Sequence, residues 1–293
     1  MTAIRPRRSV LYMPGSNERA IAKARTLPAD AVILDLEDSV APDAKEAARQ
    51  VAAGALRVGG FGSREVVIRV NGPGTPWAAD DLAAAIEAGP DAILLPKVSD
   101  PDAIAAVEAM LAAHNAPEHL RVWAMIETPL AILRLDALAA AAGREGSRLA
   151  CFVLGTNDLA KDTRTRMVPG RWPMLPWLAT AVAAARAHGL DVLDGVFNDL
   201  GDAAGFRAEC EQGRDLGFDG KTLIHPGQVA AANEAFAPAP AEVAAARAVL
   251  AAFERPENAG RGVISLDGRM VERLHAEMAA RTVALADAIA ARG

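Results

Sequence analysis

Eight short runs rich in aliphatic and β-branched residues recur along the chain, at 9–13, 31–36, 65–70, 91–96, 121–126, 149–155, 191–193 and 221–224. Most of them read as near-continuous apolar segments, the pattern of strands covered on both faces. The stretches 17–27, 44–56, 78–87, 101–114 and 177–188 between them carry the alanine content and apolar spacing of helices. Asp100-Pro101 reads as an N-cap followed by proline in the first turn, and Gly89 and Gly189 read as helix stops. Strands alternating with helices predict a parallel sheet with right-handed crossovers. Eight such units in roughly 230 residues close most naturally into a (β/α)8 TIM barrel. An open doubly wound sheet is the competitor, but no GxGxxG opens a helix after the first strand.

The barrel is expected to occupy residues 1–236, ending at the proline-rich hinge 237–240. A C-terminal helical extension, 237–293, would follow, with helices at 242–253 and 270–291 around a glycine-rich loop at 258–268. That extension is too short for a large core and is expected to dock on the barrel or on a neighbouring subunit. With 52% hydrophobic residues in 293, one sizeable core is within reach. The net charge of −6 offers no global attraction to nucleic acid. Cys151 and Cys210 lack metal or disulfide spacing, as expected of a reduced cytoplasmic protein. No apolar stretch behind the N-terminus suits a signal peptide, and no run of roughly 18 apolar residues is expected to meet a membrane. Two local basic patches, Arg5 with Arg7 and Arg8, and Arg164 with Arg166, remain available to a phosphate.

A barrel gathers its functional residues at the C-terminal ends of its strands. In order, those ends carry Pro14-Gly15-Ser16-Asn17, then Asp35, Glu37 and Asp38, Arg69 with Asn71, and Lys97. Glu127, Asn157 with Asp158, Asp194 and His225 complete the ring. Glu127 and Asp158 directly follow apolar strands, and two carboxylates completed by water and substrate oxygens suit Mg²⁺. The competing reading makes both of them helix caps. Glu37 and Asp38 are read as acceptors for metal-bound water and as supports for Arg69, or else as loop caps. Arg69 offers a planar fork to a substrate carboxylate, or a salt bridge to Asp35 or Glu37. Lys97 is a ligand-binding cation, with an aldolase-type Schiff base as the rival reading. Lys221 and His225 read as structural or ligand-positioning. The PGSN turn leads into a helix, so its amides are candidates for a phosphate. Trp172 and Trp177 flank a proline-containing loop and are expected to pack. GxSxG, Walker A, HExxH and EF-hand patterns are absent.

Taken in order, RSVLYMPGSNERAIAKA, ADAVILDLEDSV, VIRVNGPGT, LLPKV, GTNDLA and GFDGKTLIHPGQV resemble the citrate lyase β-subunit-like CoA-ester lyases of the HpcH/HpaI aldolase superfamily. The resemblance runs from Arg8 to the C-terminal helices and implies a (β/α)8 barrel with a helical tail, in trimers or hexamers. It implies Mg²⁺ on Glu127 and Asp158, the acyl end of the substrate on Arg69, and CoA phosphates near Pro14, Gly15, Ser16 and Asn17. It also implies an acid–base role for Asp267 in a neighbouring subunit's site; composition alone makes Asp267-Gly268 an ordinary turn. One departure is Asn157, where many members carry a glutamate before the metal-binding aspartate. The implied activity is Mg²⁺-dependent cleavage of a malyl-CoA-type thioester to a 2-oxo acid and acetyl-CoA. Hydrolysis of (S)-malyl-CoA on the same site is the alternative, and GTNDLAK with WAMIET is most similar to that branch. A citrate lyase β subunit acting on an acyl-carrier-protein thioester is the third reading.

Overall fold

The computed structural model describes residues 4–292. The outermost residues of both expected domains therefore lie outside the described part. The eight apolar runs form one closed parallel barrel in chain order. Its first half is β1 (Ser9–Pro14), β2 (Ala31–Asp35), β3 (Glu65–Arg69) and β4 (Ala92–Leu95). Its second is β5 (Arg121–Ile126), β6 (Leu149–Leu154), β7 (Asp191–Asp194) and β8 (Gly220–Leu223). β1 pairs with both β2 and β8, so the cylinder is shut and none of its eight strands has a free edge.

Helices fill the connections: α1 (Glu18–Ala24), α2 (Lys45–Val58), α3 (Ala78–Ala88) and α4 (Pro101–Ala113). After β5 come α5 (Pro129–Leu133) and α6 (Leu135–Ala140); α7 (Thr156–Thr163) and α8 (Leu175–Ala187) follow β6. α9 (Ala203–Leu216) and α10 (Val229–Phe236) complete the ring. The capping signals act as read: Asp100 accepts the amide of Asp102 ahead of Pro101, and Gly89 ends α3 in the left-handed conformation.

Alternate strand residues serve two cores, which is why the strands read as unbroken apolar runs. Val10, Ile33, Val67, Leu94, Trp123, Val153 and Leu193 fill the barrel interior. Leu11, Val32, Ile68, Ile93 and Phe152, on the other face of the same strands, are equally buried. An ionic plug lies among the interior residues. Arg7 forks onto Glu65 at 2.6 and 2.7 Å, pairs with Asp191, and lies 4.9 Å from the Trp123 ring. Arg8 forks onto Asp30 at 2.8 and 2.9 Å. The N-terminal arginines read as available to a phosphate are thus committed to carboxylates at Arg7 and Arg8. Both cysteines are buried free thiols.

The described chain divides into two compact units, one being Arg7–Ala235 and the other joining residues 4–6 to 236–292. In the second, α11 (Pro240–Glu254) packs on α12 (Arg273–Ala290). Where the sequence suggested a glycine-rich loop running into a helix from 270, there is an antiparallel hairpin, β9 (Val263–Leu266) and β10 (Arg269–Glu272). Ile264 and Val271 bury against Ala252 and Phe253, and that contact holds the hairpin down. Asp267 and Gly268 both take positive φ, 51° and 75°, as a two-residue type I′ turn requires. The stretch Pro226–Glu254 is long and apolar enough to cross a membrane by length and composition, contrary to the expectation of no such run. Alanine supplies that apolarity, and the backbone extends at Ala239 (ψ 149°) before Pro240, dividing the stretch into α10 and α11.

Candidate active site

Asp35 and Arg69 lie opposite each other in register, at the last positions of β2 and β3. Arg69 Nε and Nη2 donate to the two Asp35 carboxylate oxygens at 2.6 and 2.7 Å. Asp35 in turn accepts the amides of Glu37 and Ser39, so the DLEDS turn is wound around its carboxylate. Arg69 Nη1 is aimed the other way, 2.8 Å from Glu37 Oε2 and 3.4 Å from Asp38 Oδ2. One arginine therefore holds three carboxylates, which explains how a buried strand ends in so much negative charge. The salt-bridge reading of Arg69 is the one seen here, with Asp35 on one edge and Glu37 and Asp38 at Nη1.

Across the mouth, Glu127 follows β5 and is 1% exposed. Thr128, not Glu127, caps α5. Asp158 stands in the first turn of α7 and does not cap it either. Both carboxylates instead converge on one ammonium: Lys97 Nζ pairs with Asp158 Oδ2 and lies 3.6 Å from Glu127 Oε1. The Lys97 backbone makes this possible. Its φ of 56° is left-handed, and the strained turn aims its amide at Glu127 Oε1, 2.7 Å away. Opposite Glu127, Gly155 leaves the space the glutamate fills: a Cβ there would meet Glu127 Cβ at 2.4 Å and Oε2 at 2.5 Å. Two acids sharing one cation is the chemistry a divalent ion would satisfy. Among the described residues no cluster of three or more His, Cys, Asp or Glu could hold a metal. An ion here would have two protein oxygens and fill its shell with water or substrate, which fits Mg²⁺.

The charges perturb one another. Burial pushes the Glu127 carboxyl up, against the pull of Lys97. Burial would also raise Asp158, but the hydrogen bond from Lys97, helped by Lys161, brings it below the usual range. Lys97 is itself raised: burial opposes its charge, and Asp158 and Glu127 outweigh it. A Schiff-base lysine needs the opposite shift, and Lys97 is instead paired with two carboxylates.

Glu37 is pushed from 4.5 up to about 7 by burial, with Arg69 opposing and Asp38 and Glu127 adding to the rise. Between those values the folded protein keeps a proton that the unfolded chain has released, so stability falls as pH rises from 4.5 towards 7. In metal-free protein, Glu37→Gln is expected to remove this slope and to gain, relative to wild type, up to about 3 kcal/mol above pH 7. Urea unfolding at several pH values checks it; parallel stability curves for the two proteins would show that Glu37 is not protonated in the fold.

The remaining strand-end residues divide. In the PGSN turn the amide of Gly15 bonds to Asp35 O, that of Asn17 to Pro14 O, and the Asn17 side chain caps α1. Among the described bonds, only Ser16 keeps its amide outside this set. Asp194 faces away from the mouth: it takes Arg171 at 2.7 and 2.9 Å and the fully buried Lys221 at 2.9 Å, and Lys221 also reaches Glu209 on α9. His225 spends Nδ1 on the Gly227 amide. Trp172 is 70% exposed, against the expectation that it packs, because the Gly170–Arg171 turn buries Arg171 instead. Asn157 exchanges amide hydrogen bonds with Asn198 across the loops after β6 and β7. Asp267 belongs to the other compact unit, in the β9–β10 turn. Tyr12 was not singled out in the sequence; its position in β1, two residues before Pro14, was the available signal.

A closed parallel barrel whose strand ends set two acids on one cation beside a carboxylate-seated arginine has the layout of an enzyme site. The chain belongs to the HpcH/HpaI aldolase/citrate lyase family, whose model matches residues 8–226. It is 50% identical to a (3S)-malyl-CoA thioesterase of Cereibacter sphaeroides (strain KD131 / KCTC 12085) over 98% of this chain and 96% of that one. It is 36% identical to an L-malyl-CoA/beta-methylmalyl-CoA lyase of Cereibacter sphaeroides (strain ATCC 17025 / ATH 2.4.3), over 98% and 96% respectively. Among solved structures, CitE of Mycobacterium tuberculosis in complex with magnesium, acetoacetate and coenzyme A superposes with a TM-score of 0.75 at 29% identity, covering 97% of this chain and 99% of that one.

Proposed function

We propose that the chain is a Mg²⁺-dependent enzyme acting on a malyl-CoA-type 3-hydroxyacyl thioester, and that its reaction is hydrolysis to malate and CoA. The observation carrying the site is the convergence of Glu127 and Asp158 on Lys97. Hydrolysis is favoured over carbon–carbon cleavage by the 50% likeness to a thioesterase against 36% to a lyase. Cleavage to a 2-oxo acid and acetyl-CoA is the second reading, because both reactions need the same acyl group pinned.

Glu127 and Asp158 would hold the ion, with Lys97 offsetting part of their charge in its absence. When bound, Mg²⁺ supplies Lewis-acid polarisation of the substrate's oxygens. Arg69 Nη1 meets the anionic end of the acyl group, its guanidinium kept from turning by Asp35. Glu37, with its carboxyl at about 7, exchanges a proton near neutrality, and Asp38 shares the load on Arg69. Ser16, in the turn after β1, is offered to the CoA phosphates. Asp267 would act as an acid–base group in a neighbouring subunit's site within a homotrimer or hexamer of a cytoplasmic enzyme.

One incubation tests the function. Full-length protein with (S)-malyl-CoA and Mg²⁺ is expected to yield malate and free CoA. Glyoxylate with acetyl-CoA would assign the lyase reaction instead, and no product of either kind would overturn the reading.

A further inference from the structure

Tyr12 is the only tyrosine in the chain. It stands in β1 in register with Ile33, and its ring packs against the barrel-interior cluster. Its neighbours Leu11 and Met13 are buried, but Tyr12 is only partly covered. A phenylalanine would fill that layer equally well; the hydroxyl adds a polar atom that needs a partner. Among the described residues it makes no hydrogen bond, and unlike Trp123 Nε1 it is not sealed from solvent.

Several acceptors around it already serve other groups. Asp35 receives Arg69 and two backbone amides, Glu37 is paired with Arg69, and Glu127 Oε1 receives the Lys97 amide. Burial, with Asp35, Glu127 and Glu37 against it, keeps the phenol protonated despite the nearby Arg69, so the group remains a donor. The Arg69 guanidinium also lies over the Tyr12 ring, 4.9 Å from its centroid.

We propose that Tyr12 contacts the acyl group directly. Its hydroxyl donates a hydrogen bond to an oxygen of a 2-hydroxy or 2-oxo carboxylate, while its ring seats Arg69 for the same ligand. This rests on the malyl-CoA reading above and names the residue that recognises the acid end of that substrate. The step is binding alone and moves no proton.

Two variants and one spectroscopic probe test it. Tyr12→Phe keeps the ring and is expected to raise KM for (S)-malyl-CoA about tenfold while kcat stays within about threefold. Tyr12→Leu also removes the seat of Arg69 and is expected to lower kcat/KM by about a hundredfold. Because the chain has one tyrosine, fluorotyrosine labelling gives a single fluorine NMR resonance. Adding (S)-malate with Mg²⁺ is expected to shift it saturably, and CoA alone is not. Wild-type turnover with Tyr12→Phe unchanged in both constants would overturn the proposal. If the wild type does not turn over malyl-CoA, the functional reading fails separately, and the malate titration decides Tyr12: a saturable shift upholds the contact, and an unmoved resonance overturns it.

Discussion

Replacing Asp158 with alanine is expected to lower Mg²⁺-dependent turnover of (S)-malyl-CoA by about a thousandfold or more, while the melting temperature shifts by only a few degrees. The asymmetry follows from where the side chain sits. Asp158 is partly exposed, does not cap α7, and among the described residues its side chain bonds only to Lys97 and Lys161. Deleting it opens no cavity in the core and orphans no buried backbone group. What it removes is half of the anionic pair. Glu127 then faces Lys97 alone, and one carboxylate balanced by one ammonium leaves little net field to hold a divalent ion. Titration calorimetry with Mg²⁺ should show binding lost in parallel with activity. Full activity in the variant would refute the ligand assignment and with it the proposed reaction.

Adding a single methyl group at residue 155 should do comparable damage by a different route. The backbone of Gly155 is at φ −99° and ψ 75°, so alanine is not excluded by its conformation. The obstacle is space. The new Cβ would lie 2.4 Å from Glu127 Cβ and 2.5 Å from Oε2, inside any van der Waals contact. Glu127 is 1% exposed and its other oxygen is tied to the Lys97 amide, so it cannot swing into solvent. Gly155→Ala is expected to destabilise the fold by about 1–3 kcal/mol and to reduce turnover at least about a hundredfold. Thermal melts and steady-state kinetics check both parts. A variant with wild-type activity would mean that Glu127 is free to move and is not held for a ligand.

The barrel was readable in the sequence because both strand faces are buried. A strand that packs on side chains inside and helices outside must be apolar throughout, and eight such runs separated by alanine-rich helices leave few alternatives. The C-terminal hairpin was not read, although VISLDGRMVE carries the Asp-Gly turn and apolar residues on both sides. Strands of four residues give too short a pattern to compete with the helical one beside it. What fixes them is the cluster of Ile264 and Val271 on Phe253, a contact that lies outside either short strand.

Residue types and order determined which charges stand at strand ends, and nothing more about what those charges do. Asp35, Glu127, Asp158 and Asp194 are four such acids in the sequence, each after an apolar run. The register of closure separates them: Asp35 seats Arg69, Glu127 and Asp158 share Lys97, and Asp194 is turned onto Arg171 and Lys221 away from the mouth. A one-residue shift moves a side chain from one face of a strand to the other. Only the packed barrel, through contacts such as Gly155 against Glu127, decides which acid meets which cation.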